Sequence, residues 1–204
     1  MSLIGVVLIS GMFVLLTIGV PIAFSLGLAS FLAILASERI PTLVFVQRMF
    51  TACDSFPLMA ILFFVIAGEL MSQGGISRRL VNFAASILGG IRGSLALISV
   101  VTCAFFGAIS GSALATTAAI GGIMYPEMVK RGYKEDFAAT LQAASGTLGI
   151  LIPPSIPLVI YGVLTGVSIG DLFIAIVGGG LITTGLYCLT AYIVIVREGM
   201  VPVA

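Results

Sequence analysis

Small and hydroxyl-bearing residues interrupt a charge-free apolar run between residues 93 and 126. The interruption reads Gly107-Ala-Ile-Ser-Gly-Ser-Ala113 and extends to Thr116. A hard cation such as Na⁺ takes several oxygen ligands, and an unwound glycine-containing turn supplies carbonyl and hydroxyl oxygens without burying a net charge. We therefore interpret this stretch as a turn whose freed carbonyls bind Na⁺ together with the hydroxyls of Ser110, Ser112 and Thr116. Close helix packing through small residues is the alternative that this pattern leaves open.

A second apolar run, residues 137–170, is interrupted at Gly146-Thr147-Leu-Gly149 and again at Ile152-Pro-Pro-Ser-Ile-Pro157. Proline ends or kinks a helix, and the residue before a proline is pushed out of helical geometry. An unwound stretch here exposes carbonyls of the half-helix before it and N–H groups of the half-helix after it. The N-terminus of the second half-helix favours an anion such as a substrate carboxylate. A proline kink that serves packing alone is the alternative.

Three other polar features could take part in chemistry. The sequence Ile109-Ser-Gly-Ser112 would suit an intramembrane serine protease, but the chain has no histidine to act as a base, and its lysines at 130 and 134 fall in a polar turn. Glu69 is a candidate proton site because membrane carboxylates are often functional, and an interfacial position is its equal alternative. Gln142 is interpreted as an interhelical hydrogen-bonding residue.

The elements that must position both interruptions are membrane helices. The chain has 204 residues, of which 60% are hydrophobic and 8% charged, with a mean hydropathy of +1.27, whereas soluble domains carry about a quarter charged residues. Several apolar runs are long enough to cross about 30 Å of hydrocarbon. Apolar segments broken halfway are typical of a transporter's binding site, because broken helices at membrane depth must line an enclosed cavity. This composition predicts an all-α, polytopic membrane protein, and no basic run indicates nucleic-acid binding.

Prolines and charges divide the rest of the chain. Residues 1–37 carry no charge and have Gly19-Val20-Pro21 at their middle, which allows two short spans or one long kinked helix; we favour two. Other predictions are an interfacial segment (38–54), a span (55–71), an amphipathic interfacial helix (80–92) and a final span (172–196) preceded by Asp171 as its N-cap.

The positive-inside rule predicts a topology. Two clusters of basic residues flank the first interrupted run: Arg78, Arg79 and Arg92, then Lys130, Arg131 and Lys134. If both clusters face the cytoplasm, residues 93–126 cross the membrane an even number of times. A re-entrant hairpin with its tip at Ser110-Gly-Ser112 satisfies this requirement. Residues 137–170 then cross outwards, and residues 172–196 return.

At these interruptions the sequence resembles the large membrane (M) subunit of the tripartite ATP-independent periplasmic transporters, the DctM-like family. The stretches that carry the resemblance are Ser55-Phe-Pro-Leu58, Ala67-Gly-Glu-Leu-Met71, Gly74-Gly-Ile-Ser-Arg-Arg79, Gly107-Ala-Ile-Ser-Gly-Ser-Ala113, Met128-Val-Lys-Arg-Gly-Tyr133, Ile152-Pro-Pro-Ser-Ile-Pro157 and Tyr161-Gly-Val-Leu-Thr-Gly-Val-Ser-Ile-Gly170. The resemblance runs from about residue 55 to the end of the last span. It covers only the first of the family's two inverted repeats.

The resemblance implies sodium-coupled uptake of organic acids, such as carboxylates or sialic acid, by an elevator motion in the bacterial inner membrane. It also implies two protein partners, a small Q-type membrane subunit and a periplasmic substrate-binding protein. Each repeat of the family contributes one re-entrant hairpin and one broken helix, and the site forms between the repeats. The alternative function is a helical membrane assembly subunit without its own ion site.

Together these arguments predict three regions and two sets of site residues. The regions are scaffold-type helices with an interfacial arm helix (1–92), a transport-type segment with a re-entrant hairpin (93–126) and a broken helix (137–170), and a final helix and tail (171–204). The predicted sodium-binding residues are Ser110, Gly111, Ser112, Thr116, Gly146 and Thr147. The predicted substrate-binding residues are Pro153, Pro154 and Ser155. No cofactor is expected beyond the coupling Na⁺.

Overall fold

The structure is a computed structural model that describes residues 3–37, 40–90 and 93–200. Every regular element in that part of the chain is an α-helix, which confirms the all-α prediction. The chain divides into two compact units, residues 1–55 and residues 56–204. Glu38, Arg39, Arg92 and the tail residues 201–204, which entered the predictions above, lie outside the described residues.

The first unit contains α1 (Leu3–Thr17), α2 (Ile22–Leu35) and α3 (Leu43–Cys53). Gly19, with φ of 89°, and Pro21 separate the first two helices, so this region forms two helices rather than one long kinked helix. That each of them spans the membrane stays a prediction. The two helices pack against each other, and a Cβ added to Gly11 would lie 3.7 Å from the Cβ of Ala29. At ~1.5 Å per residue each is about 22 Å long, shorter than the hydrocarbon layer.

The second unit is built around one buried helix. Its elements are α4 (Phe56–Gln73), α5 (Ile76–Leu88), α6 (Ser94–Ser110), α7 (Ala113–Lys130), α8 (Glu135–Gly146), α9 (Leu148–Leu151), α10 (Ile156–Thr165) and α11 (Ile169–Arg197). Helix α6 is the most enclosed, and it packs against α4, α5, α7, α8, α9 and α11. Most of its residues are apolar and buried, which is the pattern of a helix enclosed by its neighbours, although Phe105 is 40% exposed.

Three element boundaries differ from the sequence predictions. Helix α5 begins at Ile76 rather than residue 80, directly after Gly75 with φ of 78°. Helix α7 continues through Pro126 to Lys130, because proline removes one backbone hydrogen bond while the next turn keeps its own, including Arg131 N–H to Glu127 O at 3.2 Å. The N-cap of α11 is Ser168, whose hydroxyl accepts the N–H of Asp171 at 3.3 Å, so the N-cap prediction for Asp171 was wrong.

Among the described residues, α4 and α11 are each long and apolar enough to cross a membrane. Helices α8 to α10 form a third candidate span that bends by 40° at its break. The start of α8 and the end of α11 lie together, since Lys134 Nζ is 2.7 Å from Glu198 Oε2. A Cβ on Gly93, before α6, would lie 2.8 Å from Ile195 near the end of α11. Lysines and arginines of the α7–α8 turn and the end of α11 therefore share one end of this unit, as the cytoplasmic assignment requires.

Candidate ion and substrate site

The tip of the α6–α7 hairpin is a two-residue turn at Gly111 and Ser112. Gly111 has φ of 64° and ends α6 by donating its N–H to Gly107 O at 2.9 Å. Ser112 is extended and begins α7, and its hydroxyl accepts the N–H of Ala115 at 3.3 Å. Because glycine alone adopts a left-handed conformation at no steric cost, Gly111 allows the chain to reverse within two residues. The structure thus places the reversal where the sequence predicted it.

Behind the tip, two hydroxyls and one carbonyl form a buried oxygen cluster. The hydroxyls of Ser110 and Thr116 are 3.0 Å apart, and Thr116 Oγ1 donates to Ser112 O at 2.8 Å. Ser110 is 2% exposed and Thr116 is fully buried. We call Ser110 Oγ, Ser112 O and Thr116 Oγ1 the tip cluster. All three atoms belong to residues predicted to bind sodium.

The broken helix has its break between α9 and α10. Ile152 is extended, with φ of −107° and ψ of 126°, and the Pro153–Pro154 peptide bond is cis. Ser155 is also extended and occupies the N-cap of α10. The predicted proline break is therefore present and is four residues long.

The hairpin tip and the break are in direct contact. The backbone N–H of Ile156, the first residue of α10, donates to Gly111 O at 3.1 Å. A Cβ on Gly111 would lie 2.8 Å from Pro154 O. The backbone of the break thus lies so close to Gly111 that any residue with a side chain would clash at this position. The two interruptions found separately in the sequence form one local structure.

Glycines bring α8 and α9 against the hairpin. A Cβ on Gly107 of α6 would lie 2.7 Å from Gly149 Cα, and a Cβ on Gly149 would lie 2.5 Å from both Ser112 O and Thr116 Oγ1. Gly146 faces Thr117 of α7 in the same way. Packing through small residues, the alternative weighed from the sequence, is therefore present at the same place as the tip cluster.

Thr147 is directed elsewhere. Its hydroxyl donates to Ala144 O at 2.6 Å and lies 3.3 Å from the hydroxyl of Tyr187 on α11. It makes no hydrogen bond to the tip cluster, and neither does Gly146, which contacts that region only by packing. The sequence did not indicate the contact between Thr147 and Tyr187, because a tyrosine in an apolar span does not reveal which distant residue it meets.

The N-terminus of α10 offers fewer donors to an anion than the sequence argument assumed. The N–H of Ile156 is taken by Gly111 O, and Pro157 has no N–H. Leu158 supplies the remaining first-turn N–H. Beside it, Ser155 is 1% exposed and its hydroxyl has no hydrogen-bond partner among the described residues. Of the predicted substrate residues, Ser155 is the one with a polar side chain available for a ligand.

Gly68 and Glu69 of α4 differ sharply in position. A Cβ on Gly68 would lie 3.5 Å from Ser110, so this glycine brings α4 to the tip. Glu69 is exposed, and its carboxylate accepts a hydrogen bond from Gln73 at 2.7 Å.

Gln142 of α8 is buried and exchanges hydrogen bonds with Ser99 of α6 at 2.7 and 2.9 Å, which confirms its predicted interhelical role.

The sequence matches the profile of the DctM component of tripartite ATP-independent periplasmic transporters over residues 9–203. It is 51% identical to the isethionate TRAP transporter permease protein DctMQ of Oleidesulfovibrio alaskensis, over 82% of this chain and 26% of that protein. It is 44% identical to the C4-dicarboxylate TRAP transporter large permease protein DctM of Vibrio cholerae, over 92% of this chain and 41% of that protein. It is 39% identical to the ectoine/5-hydroxyectoine TRAP transporter large permease protein UehC of Ruegeria pomeroyi, over 92% and 44% respectively. The chain spans less than half the length of each of these relatives.

Proposed function

The chain belongs to the DctM family of tripartite ATP-independent periplasmic transporters, which are transport proteins and not enzymes, and on that premise we propose that it supplies the first half of a sodium-coupled large permease. In this proposal α6 and α7 form a re-entrant hairpin, and Na⁺ binds at the tip cluster. The hydrogen bond from Ile156 N–H to Gly111 O carries the proposal, because it joins the hairpin tip and the broken helix beside the buried oxygens.

The chemistry of the tip cluster suits a monovalent cation. Its oxygens are neutral hydroxyl and carbonyl groups, which replace water around Na⁺ without adding a buried charge. Helix α6 ends at Ser110, and a helix C-terminus carries a partial negative charge that favours a cation. In the structure Thr116 Oγ1 donates to Ser112 O and accepts the proton of Ser110 Oγ. We propose that both hydroxyls rotate towards the ion when it binds, beside the Gly111 backbone. Gly146 and Thr147, which make no hydrogen bond to the tip cluster, belong to the neighbouring interrupted segment and are not proposed as ligands of this ion.

The proposed substrate is an organic acid. The substrates named for the three relatives are isethionate, C4-dicarboxylates and ectoine or 5-hydroxyectoine, and each of these compounds carries a sulfonate or carboxylate group. The buried Ser155 hydroxyl, held in place by Pro153 and Pro154 and joined by the Leu158 N–H, would receive that acid group at the α10 N-terminus. Since this segment is similar to permeases with such different substrates, we propose that it provides functions they share, and that residues beyond it select the substrate.

The proposed setting is the bacterial inner membrane. There the chain would act with a small Q-type subunit and a periplasmic substrate-binding protein, and the hairpin and broken helix would move together in an elevator motion. The name DctMQ of the Oleidesulfovibrio relative, which joins M and Q components, supports the first partner.

A pair of adjacent isosteric substitutions tests the ion site. Thr116→Val removes a hydroxyl of the tip cluster, whereas Thr117→Val removes a hydroxyl that bonds only within its own helix, to Ala113 O at 2.9 Å. We expect Thr116→Val, in the complete transporter in proteoliposomes, to raise the sodium concentration for half-maximal uptake about tenfold or more, since hydrogen-bonding groups that face a charge contribute about 1.5–3 kcal/mol.

The matched Thr117→Val variant should keep the wild-type sodium dependence. If both variants respond alike, or if uptake needs no sodium, the tip cluster is not the coupling site. An unchanged sodium dependence in Thr116→Val with normal insertion would favour the packing function of this segment.

A further inference from the structure

Helix α5 has a face that packs against α6. Ser77 and Ala84 are buried on this face, and Val81 and Leu88 are partly buried. Their spacing of four, three and four residues places them on one stripe of a helix. This stripe accounts for the contact between α5 and the hairpin helix α6.

A second apolar stripe lies next to the first, with the same spacing one residue earlier: Ile76, Leu80, Phe83 and Ile87. Ile76 and Leu80 are half-buried, and Leu80 packs against the core, whereas the later part of the stripe is exposed. Phe83 is 53% and Ile87 is 62% exposed. The ring of Phe83 lies 5.9 Å from that of Phe105 on α6, which is itself 40% exposed. The described residues thus leave more than half of Phe83 and of Ile87 uncovered, and in a membrane protein such an apolar surface faces hydrocarbon.

The third face of α5 is basic. Arg78 and Arg79 are exposed, and among the described residues no carboxylate lies within 4.0 Å of either guanidinium. The basic side chains of the α7–α8 turn differ in this respect. Arg131 is paired with Glu127 at 3.1 Å, and Lys134 with Glu198 at 2.7 Å. The two arginines of α5 are therefore cations that the described protein leaves unneutralised.

We propose that Arg78 and Arg79 bind the phosphate of an anionic phospholipid whose acyl chains lie along Phe83 and Ile87. A helix with a basic face beside an apolar stripe lies in the membrane interface, with its cations at the level of the headgroups. The planar guanidinium group binds phosphate oxygens through two parallel hydrogen bonds. The apolar stripe selects a lipid over a free phosphate ion, because only the lipid can also cover Phe83 and Ile87.

Native mass spectrometry of the purified chain tests this assignment. The chain is released from micelles that contain equal amounts of phosphatidylglycerol and phosphatidylcholine, and the ratio of the two retained lipids is measured. The wild type should retain phosphatidylglycerol preferentially. Arg78→Gln with Arg79→Gln should lower the ratio by about fivefold per arginine, as expected for one basic residue near an anionic surface.

Two matched variants separate the binding site from general effects. Arg78→Lys with Arg79→Lys keeps the charge and should keep most of the preference, which also shows that the helix remains folded. Arg131→Gln with Lys134→Gln removes the same charge from two cations that already have partners and should leave the ratio unchanged.

Several outcomes would overturn the proposal. They are equal retention of the two lipids by the wild type, an unchanged ratio in the glutamine variant at positions 78 and 79, and an equal loss in the variant at positions 131 and 134. Displacement of the lipid by inorganic phosphate at the same concentration would also overturn it, because it would indicate a site for the free anion.

Discussion

Replacing Gly149 with alanine is the sharpest test of the packing that surrounds the tip cluster. The new Cβ would lie 2.5 Å from Ser112 O and 2.5 Å from Thr116 Oγ1. The first of these oxygens is a backbone carbonyl held by two donors of Thr116, the N–H at 3.0 Å and the hydroxyl at 2.8 Å. Ser112 O cannot move without breaking the start of α7, and Thr116 Oγ1 can move only by giving up its hydrogen bonds to Ser112 O and Ser110 Oγ. To keep these bonds, α9 and the hairpin must separate.

The magnitude follows from the distances. Each contact must lengthen by about 0.5–0.9 Å to enter the range that real Cβ atoms occupy. Overpacking of this kind costs about 1–3 kcal/mol. Alanine recovers about 0.5–1 kcal/mol relative to glycine in a helix. We therefore expect Gly149→Ala to lower the free energy of unfolding by up to about 2.5 kcal/mol.

The control is Gly178→Ala, in the middle of α11, where an added Cβ meets no atom within 4 Å. Because alanine favours the helix over glycine and meets no steric clash here, this variant should have a slightly higher free energy of unfolding than the wild type. Both variants are measured by SDS titration of the purified chain in a mild detergent, with helix content as the signal. The difference between them isolates the steric cost, about 1–3 kcal/mol. Equal stability of the two variants would refute the close approach of α9 to the tip.

Two further predictions concern polar contacts in the second unit. Gln142→Leu should destabilise the fold by about 1–3 kcal/mol, because it leaves the buried Ser99 hydroxyl without its partner. When Ser99→Ala is added, the same SDS titration should show a total loss of stability well below the sum of the two single effects. Strict additivity would contradict the hydrogen bond. Glu198→Gln should lower the free energy of unfolding by less than about 1 kcal/mol, because both side chains of its ion pair with Lys134 are exposed. High salt should remove this difference from the wild type. A large, salt-independent loss of stability would show that the pair is not a surface contact.

The sequence was most informative where local residue types alone determine the backbone. Gly111 and the prolines at 153 and 154 act within a few residues of themselves, so the turn and the break could both be located. The start of α5 was predicted four residues too late, because Arg78 and Arg79 suit either a turn or a helix, and Gly75 sets the start only through its left-handed conformation.

Contacts between distant residues could not be predicted in the same way. No periodicity indicates that Ile156 donates to Gly111 O, or that Thr147 meets Tyr187 rather than the tip cluster. Both contacts depend on how the broken helix lies against its neighbours. The same dependence removed the Ile156 N–H from the donors expected at the start of α10, because the tip consumes it. The missing N–H of Pro157, in contrast, could be read from the sequence. Residue types thus located the turn and the break, while tertiary packing decided which of their atoms remain available to a ligand.

The most direct test of the sodium site is equilibrium binding of radioactive Na⁺ to the purified complete permease, with potassium as competitor. The wild type should bind Na⁺ selectively, Thr116→Val should weaken binding about tenfold or more, and Thr117→Val should bind like the wild type. Equal affinities in all three proteins, or displacement by potassium at equal concentration, would contradict the assignment of the ion to the tip cluster.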